Sequence, residues 1–532
     1  MTGTRDDFDA IVIGAGPNGL VAANRLIDAG WSVLVVETQP TVGGAVRSDD
    51  DVHPGFTHDT FSAFYPLAAA SPTIRSLGLE SYGLVWRHAP AVLGHPLADG
   101  DWALLHRDLG ITSALMDLQH PGDGQAWRDL CAQWDHIGDH VIGALLSPFP
   151  PLRNGLAALA RLRGAGGLDF ARMALTPATR LGATRFGGEA PRILLAGNAG
   201  HADIPLDAPG SGFIGLLLVM LGQTVGFPVP EGGAGMLTRA LARRLEDVGG
   251  HIRCSSEAAT ISVANRRATG IRTVEGETLT AGRAVIADVA APHLYGRLLD
   301  PADLPARVLR RMRSFELDPS TVKVDWALDG PVPWRSPPLY APGTFHVADS
   351  LGQMTQALGQ VAAGAIPAEP FLLAGQMSTA DPTRSPAGTE ALWAYTHVPQ
   401  RTTGDAGDGG IRGHWDRADA ERFADRMQAR IERHAPDLAS RILSRRVLGP
   451  REFEARDANL IGGAINGGTA QLHQELVFRP IPGLGRAETP VRSLFLGSAS
   501  AHPGGGVHGA PGMNAARAAL AHDRLRRLGP GR

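Results

Sequence analysis

The stretch Phe8-Asp9-Ala10-Ile11-Val12-Ile13-Gly14-Ala15-Gly16-Pro17-Asn18-Gly19 joins a short apolar run to a glycine-rich loop. The apolar run predicts a buried strand, and the residues from Leu20 to Ala29 predict a helix directly after the loop. In such a loop Gly14 permits the tight turn, Gly16 lets the backbone approach a pyrophosphate, and Gly19 lets the helix pack against the strand. The helix start adds free amides and a positive dipole. The stretch therefore predicts a dinucleotide-binding Rossmann unit.

An acidic residue completes this unit. The segment from Trp31 to Val36 predicts a second strand, and it ends in Glu37, 18 residues after Gly19. A carboxylate at this position accepts hydrogen bonds from a ribose diol. The G-x-G-x-x-G pattern alone is a weak signal, but strand, loop, helix, strand and acid in this order are specific. We expect cofactor contacts from Gly14, Gly16, Pro17, Asn18, Gly19 and Glu37.

The next glycine pair bears on which dinucleotide binds. Gly43 and Gly44 follow Glu37 and precede Arg47. This pattern resembles the second glycine motif of FAD-binding proteins in the glutathione-reductase and amine-oxidase superfamilies, where it packs behind the pyrophosphate. The first loop alone fits NAD or FAD, whereas the resemblance implies FAD. Arg47 either faces the phosphates or lies on a solvated loop.

Another glycine-rich patch lies near the C-terminus. The segment from Val491 to Leu496 predicts a strand, and a helix is predicted from Ala515 to Leu528, after the glycine-rich residues 497–514. Dense glycine lets the backbone lie flat against a planar ligand, and the helix start favours an anionic group such as a reduced flavin. The patch Pro228–Gly235 follows prolines rather than a buried strand, which argues against a second nucleotide domain. We expect further cofactor contacts from Ala258, Gly497, Ser498, Gly505, Gly506, Val507 and Ala510.

The length of the chain and the order of these patches predict an α/β protein of two domains. The chain has 532 residues, more than a single core usually supports. We assign residues 1–72, 226–290 and 453–532 to a Rossmann-type FAD-binding domain, and residues 73–225 and 291–452 to an inserted α+β substrate domain. In the inserted part, Asp416 to Arg433 predicts a helix with a buried stripe. Ser147 to Arg163 either covers a substrate entrance, touches a membrane surface or forms a plain surface helix pair.

Composition excludes several classes of function. Of the 50 basic residues only Lys323 is a lysine, and the net charge of −3 gives no reason to expect nucleic acid as a partner. Cys131 and Cys254 are too few for a disulfide scaffold, a Cys-rich zinc site or a C-x-x-C motif, and we expect no bound metal. The polar Met1–Ala10 segment and the apolar run Gly212–Gly222, shorter than the ~18 residues of a membrane span, indicate a cytoplasmic protein. Peripheral membrane contact and the oligomeric state stay open.

With the glycine patches in this order, the chain resembles phytoene-desaturase-type FAD flavoproteins of the amine-oxidase-like superfamily. The branch it most resembles is that of pyridine nucleotide-disulfide oxidoreductase domain-containing protein 2, whose name does not describe its chemistry. Disulfide oxidoreductase activity is not expected of this chain, since Cys131 and Cys254 are far apart in sequence and no C-x4-C pair follows the first loop. Nearly the whole chain takes part in the resemblance. Its marks are Gly14–Gly19, Gly43–Gly44, Gly55–Ser62, Pro230–Gly233, Asp381–Pro386 and His502–Val507, of which the last is the most specific.

The resemblance implies FAD bound in an extended form, with a substrate domain above the flavin ring. Such relatives desaturate, saturate or isomerise carbon–carbon bonds of hydrophobic substrates such as polyenes and isoprenoids. Flavin N5 takes or gives the hydride, so the protein supplies orientation and a dry pocket. Phe61 and Ser62 then lie near the ring, Asp59 is structural, and the electron acceptor is oxygen, a quinone or another flavoprotein.

Two side chains are candidate catalytic groups. Lys323 alternates with apolar neighbours on a predicted strand and so points away from the apolar face. It is either an exposed strand lysine or, as in amine-oxidase relatives with a lysine on a comparable strand, the group that holds a water against flavin N5. His502, inside the C-terminal motif, is expected to move protons near the flavin. His502 and His508 each have a purely structural role as the alternative.

Two further residues are expected to line the substrate cavity. His201 precedes the apolar run at Gly212, and Tyr395 alternates with Trp393 and His397 on one strand face, where simple packing is the alternative. Other functions that fit the sequence are a flavin amine oxidase and a flavin-binding scaffold that no longer catalyses. The segment Gly497–Ala501 nearly matches the G-x-S-x-G hydrolase elbow, but it lacks the final glycine, so a serine hydrolase is not expected.

Overall fold

The computed structural model describes residues 7–528. Residues 1–6, part of the polar N-terminal segment for which no signal sequence is expected, lie outside the described residues, as do residues 529–532. Two seven-stranded sheets organise the chain. Within residues 7–528, no helix is both long and apolar enough to cross a bilayer. Cys131 and Cys254 are free thiols.

The first sheet is built around the strand Asp7–Ile13, which pairs in parallel with Val33–Val36 and Thr278–Ala287. Its apolar residues pack against the helix Pro17–Ile27, which starts inside the glycine loop rather than after it. Parallel pairing brings the carboxyl ends of these strands to one edge, where ligands bind in such folds. The spatial order is Ala258–Ala264, Arg267–Thr273, Thr278–Ala287, Asp7–Ile13, Val33–Val36 and His251–Arg253, with Leu494–Leu496 also pairing with Thr278–Ala287.

The second sheet is mainly antiparallel. Its strands are, in spatial order, Ile442–Leu448, Ser320–Leu328, Glu390–Val398, Leu372–Gln376, Pro342–Val347, Ala91–Pro96 and Trp102–Leu105. The predicted helix at 416–433 is confirmed as Arg417–Glu432, capped by the side chain of Asp416. Its buried stripe packs against the side of the sheet that carries Val322 and Trp326. This packing buries the outer face of the strand Ser320–Leu328.

The two sheets divide the sequence between them. Every strand of the first sheet falls within residues 1–72, 226–290 and 453–532, and every strand of the second falls within 73–225 and 291–452. The division into an FAD-binding and a substrate domain remains a proposal, which this segregation supports. Three two-residue strand pairs complete the β-structure: Ser48–Asp49 with His58–Asp59, Trp86–Arg87 with Val229–Pro230, and Ala365–Ile366 with Gly404–Asp405.

Helices surround both sheets. Besides those already given, they are Pro66–Ala70, Pro72–Arg75, Leu109–Gln119, Asp123–Leu145, Leu152–Leu162, Leu168–Leu175, Ala178–Arg185, Glu189–Ala199, Ser211–Thr224, Gly235–Asp247, Ala291–His293, Ala306–Met312, Leu351–Ala362, Met377–Ala380, Leu438–Arg441, Pro450–Arg456 and Ala510–Leu528. The apolar run at 212–222 forms the mostly buried helix Ser211–Thr224. In the middle glycine patch, the amides of Gly232 and Ala234 donate to the carboxylates of Asp381 and Asp59, so they hold protein groups.

Candidate active site

A cavity of about 960 Å³ lies between the glycine loops and the second sheet. At one end Ile13, Val36 and Asp288 bring the carboxyl ends of three parallel strands to its wall. At the other end the wall is formed by the second sheet and the helix Ser211–Thr224. Seventeen of the twenty-two site residues predicted above line this cavity: Gly14, Gly16, Pro17, Asn18, Glu37, Gly44, Arg47, Phe61, Ser62, His201, Ala258, Lys323, Tyr395, Ser498, Gly505, Gly506 and Val507.

Five predicted residues lie behind the cavity wall. Gly19, Gly43, Gly497 and Ala510 do not line the cavity but hold its loops: the Gly43 amide donates to Ala15, and the Gly497 amide donates to Ala287. The fifth is His502, whose Nε2 donates to the Ser147 carbonyl over 3.0 Å while its ring packs edge-on against Phe149. The expectation that His502 faces the flavin is therefore wrong. Pro503 and His508 line the cavity wall instead.

His508 has a defined tautomer. Its Nδ1 accepts from the Ala510 amide over 3.1 Å, so its proton lies on Nε2, which donates to the Gly505 carbonyl over 3.2 Å. Burial lowers its pKa to about 4, so the ring is neutral at neutral pH. Both ring nitrogens are engaged with the backbone. His508 therefore orders the glycine-rich loop, and it has no free nitrogen with which to move a proton.

The first glycine loop leaves no room for side chains. Gly14 has a φ of +100°, and a Cβ there would lie 2.7 Å from the Asp288 carbonyl oxygen. A Cβ on Gly19 would lie 2.1 Å from the Gly14 oxygen, and one on Gly16 would lie 2.9 Å from the Asp288 carboxylate. Gly44 packs directly on Gly16. Bare backbone thus faces the cavity, as pyrophosphate binding requires.

The polar groups beside this loop fit an anionic dinucleotide. Glu37 is buried, accepts from the amides of Ala15 and Gln39 over 2.8 Å each, and retains lone pairs for a ribose diol; burial raises its pKa. The side-chain oxygen of Asn18 and Nε of Arg47 are buried without a partner among the described residues. Orphaned polar atoms on a cavity wall indicate that a ligand completes them. Because Arg47 also packs over the Phe61 ring at 5.4 Å, the solvated-loop interpretation is wrong.

Asp288, which follows the strand Thr278–Ala287, is a site residue that was not predicted from the sequence. It accepts from the Gly19 amide over 2.7 Å, is 7% exposed and lines the cavity. Burial raises its pKa to about 8, and the charges of Asp457 and Glu37 add to the shift. Its position at the end of an apolar strand was the signal in the sequence. Asp288 is a carboxyl group held mainly protonated beside the predicted pyrophosphate site.

Lys323 is buried, so its interpretation as an exposed strand lysine is wrong. The side chain is 1% exposed, lines the cavity and lies 5.8 Å from the centre of the Trp393 ring. Its Nζ donates to the Asp59 carbonyl over 2.9 Å and to the carboxylate of Asp325. Burial lowers the pKa of Lys323, an effect that Asp325 opposes. An ammonium has three N–H groups, and these two bonds leave one for the cavity.

The two residues that accept hydrogen bonds from Lys323 are themselves held by ion pairs, and these fix the position of Lys323. Asp325 also pairs with Arg446 over 2.9 Å, and although burial would raise its pKa, Lys323 and Arg446 together lower it. Asp59 pairs with Arg384 over 2.6 Å, and both side chains are fully buried. Neither Asp325 nor Arg446 is among the site residues predicted from the sequence. The structural role expected of Asp59 agrees with its contacts, since its carboxylate and its carbonyl order two cationic side chains.

Apolar side chains form most of the distal wall. Phe61 packs against Phe453, Ser62 donates to the Ala45 carbonyl, and Tyr395 stacks on Trp393 with ring centres 5.9 Å apart. The helix Ser211–Thr224 adds Phe213, Ile214, Leu217 and Leu218. His201 also lines this part of the cavity, and its Nε2 lies 3.1 Å from Nε2 of His346, a residue that the sequence analysis missed. The site thus combines a phosphate-binding end with an apolar end.

The sequence model of the flavin-containing amine oxidoreductases matches residues 18–359, most of the chain. The chain belongs to this family. Its cofactor is therefore FAD, and the predicted fold class and family resemblance are confirmed. The residues of the glycine loops, with Glu37, Asn18 and Arg47, fit this cofactor and would hold it. The protein is thus a flavin-dependent oxidoreductase that takes a small-molecule substrate and passes electrons to an acceptor.

The individual relatives differ in the reactions that their names describe. Pyridine nucleotide-disulfide oxidoreductase domain-containing protein 2 of Mus musculus is 28% identical over 96% of this chain and 93% of its own length. A neurosporene-forming phytoene desaturase of Rhodobacter capsulatus is 24% identical over 94% of this chain and 91% of its own. The solved structure of putrescine oxidase bound to putrescine has a TM-score of 0.60 at 17% identity, covering 97% of this chain and 99% of that one. This last likeness concerns the fold.

Proposed function

We propose that this flavoprotein desaturates, saturates or isomerises carbon–carbon bonds of a hydrophobic, polyene- or isoprenoid-like substrate. The observation that carries the proposal is the apolar distal wall, which the helix Ser211–Thr224 forms together with Tyr395 and Trp393. The similarity to phytoene desaturases supports the same chemistry. A charged substrate would lose its hydration in this part of the cavity, whereas an apolar one gains by burial.

FAD, when bound, supplies hydride transfer at its ring system. The side chains then have three tasks: to hold the substrate against the wall, to exclude water, and to present one donor. That donor is the free N–H of Lys323, which is fixed by its bonds to Asp59 and Asp325. Because an N–H donor aimed at a dry cavity orders a single water or substrate atom, Lys323 is the residue that we assign to catalysis.

A flavin amine oxidase is the second candidate function. The stacked pair of Trp393 and Tyr395 lines the cavity, and two parallel aromatic rings are a surface on which an amine carbon can dock. The fold shared with putrescine oxidase agrees with this alternative. Against it, burial lowers the pKa of His201 to about 3, so this lining residue is neutral and offers no opposite charge to an ammonium group.

Anaerobic flavin spectroscopy separates these functions. The yellow holoprotein is mixed without oxygen with a polyene, an isoprenoid, a quinol and an amine in turn. Bleaching of the flavin by a polyene or isoprenoid is the result expected of a desaturase, and re-addition of oxygen or a quinone then identifies the acceptor. A saturase instead has its dithionite-reduced flavin reoxidised by the polyene, and an isomerase changes the polyene without net bleaching. Bleaching by the amine alone would establish the amine oxidase instead. A flavin that light or dithionite reduces, that no donor reduces, and that in its reduced form neither saturates nor isomerises the polyene would identify a silent scaffold.

We also propose that the cavity opens toward a membrane surface. Leu152, Leu156 and Leu159 follow one face of the helix Leu152–Leu162, and each is at least 65% exposed. Leu175, on the neighbouring helix, is 63% exposed and lines the cavity. Leu472 and Leu476 are also exposed and line the cavity, and exposed Val477 and Phe478 follow them in the chain.

The charge around this leucine surface favours an anionic bilayer. Residues 152–186 hold six arginines and a single acid, Asp169, in a chain with a net charge of −3. Arginine beside exposed leucine is typical of helices that lie in a lipid interface. A hydrophobic substrate then passes from the bilayer into the cavity without crossing water. A second copy of the chain would bury the leucines too, but it carries the same excess of positive charge there.

Loss of two of these leucines should release the protein from vesicles. In Leu156→Ser with Leu159→Ser, we expect at least about tenfold weaker cosedimentation with vesicles that contain phosphatidylglycerol, because the apolar area that enters the lipid is lost. Raising the salt concentration should weaken binding of the wild type. Leu118→Ser is the matched control, since Leu118 is 82% exposed but lies on another helix. Equal loss in the control, or dimerisation in place of vesicle binding, would contradict the proposal.

A further inference from the structure

The second sheet carries a row of side chains from Lys323 to a pair of histidines. Lys323 pairs in register with Tyr395, Tyr395 with Leu373, and Leu373 with His346 on four adjacent strands. Neighbouring strands lie about 4.8 Å apart, so His346 is about 14 Å from Lys323 along the sheet. His201 meets His346 at this far end and lines the cavity. The cavity therefore has a polar group at each end of an apolar floor.

The surroundings of His346 decide which nitrogen of each ring carries the proton. The two Nε2 atoms lie 3.1 Å apart, so one of them donates to the other. Nδ1 of His346 is buried without a partner among the described residues, packed against Gly197. A buried N–H without an acceptor is rarer than a buried acceptor without a donor. The proton of His346 therefore lies on Nε2 and is donated to His201.

This assignment leaves His201 with one free donor. Its Nε2 accepts from His346, so its own proton lies on Nδ1, for which the described part of the chain offers no partner. The hydroxyl of Tyr395, nearer the middle of the floor, likewise has no hydrogen-bond partner within residues 7–528. Burial lowers the pKa of His201 to about 3, lowers the pKa of His346 well below its usual value, and raises the pKa of Tyr395. All three groups are therefore uncharged at neutral pH.

We propose that His201 donates a hydrogen bond to a single uncharged oxygen at the far end of an otherwise apolar substrate. The oxygen belongs to a hydroxyl, an ether or a carbonyl group, since each accepts from an N–H. A carboxylate or an ammonium would find no opposite charge on His201, His346 or Tyr395, which are all uncharged. This inference rests on the proposed function, and it adds that the end of the substrate that carries the oxygen faces away from Lys323.

Three ligands that differ only at one end test the inference on the holoprotein. Phytane, phytanol and phytanyl methyl ether share a saturated isoprenoid chain, and their binding is followed by the change in flavin absorption. We expect the wild type to bind the alcohol and the ether about five- to tenfold more tightly than the hydrocarbon, the factor that one neutral hydrogen bond provides. His201→Phe should remove this preference and leave hydrocarbon binding unchanged. His201→Gln, which keeps a donor, should restore part of it.

His95→Phe is the matched control, because His95 is a buried histidine of the same sheet whose Nε2 lies 2.9 Å from the Ala348 carbonyl, outside the cavity. Retention of the preference in this variant is expected. Equal binding of all three ligands by the wild type, or a preference that survives in His201→Phe, would overturn the inference and leave the proposed function intact. Binding of the alcohol without the ether would overturn the assigned tautomer. Failure of all three ligands to bind would count against the proposed function itself.

Discussion

Substitution of Lys323 by methionine will slow the reduction of the bound flavin by substrate by about a hundredfold or more. This is the range expected when a positioned donor or proton-transfer group is removed from a reacting centre. Methionine has a similar length and no charge. Asp325 keeps its ion pair with Arg446 over 2.9 Å, so the variant does not leave a buried carboxylate alone. The protein should therefore fold, bind FAD and remain yellow.

Anaerobic stopped-flow at saturating substrate measures the effect directly, and the oxygen half-reaction of the reduced protein is followed in the same way. Lys323→Arg should also be slow in at least one half-reaction, because a planar guanidinium does not reproduce a compact ammonium between Asp59 and Asp325. Arg445→Met is the control, since Arg445 pairs with Glu421 and Asp425 on the outer side of the neighbouring strand. Unchanged rates in both Lys323 variants would rule out the catalytic role.

The FAD-binding half of the molecule was largely predictable because its signals are local. The strand at 8–13, the glycine loop, the second strand and Glu37 lie within thirty residues, and each has one physical interpretation. The errors are at boundaries: the helix starts at Pro17, inside the loop, because proline suits the first helical turn. The segment at 491–496 forms a strand only over Leu494–Leu496.

The site was harder to predict because its polar groups meet from distant segments. Asp288 bonds to a glycine 269 residues away, and Arg446 reaches Asp325 from another strand. Alternation around Lys323 correctly separated two faces of a strand, but both faces are buried, one by the helix Arg417–Glu432 and one by the cavity. The alternation of polar and apolar residues shows which side chains share a face of a strand. It predicts which of them are exposed only where one of the two faces meets water. For the same reason, glycine density located the C-terminal loop but did not show that His508 faces inward and His502 does not.

Asp288 makes the affinity for FAD depend on pH. Its pKa of about 8, raised by burial and by Asp457 and Glu37, keeps the carboxyl group mainly neutral below that pH. Above pH 8 it ionises next to the glycine loop, where the negative charge opposes the phosphates of the cofactor. If FAD binds only the protonated form, the affinity falls roughly tenfold for each pH unit above the pKa. The free energy of unfolding also falls between about pH 4 and pH 8, because the folded state retains a proton that the unfolded chain loses.

Asp288→Asn should remove this dependence and raise the affinity for FAD at pH 9 by about tenfold relative to the wild type. An amide still accepts from the Gly19 amide through its oxygen, so the loop keeps its bond while the charge is lost. Titration of the apoprotein with FAD from pH 6.5 to 9.5, followed by flavin fluorescence, measures both proteins. Asp318→Asn is the matched control: Asp318 is equally buried and has a pKa raised to about 6 by burial, but it lies outside the cavity. The prediction is contradicted if the affinity of the wild type for FAD does not change as the pH passes 8, or if the affinity of Asp288→Asn still falls with pH. Either result would show that another group controls the phosphate site.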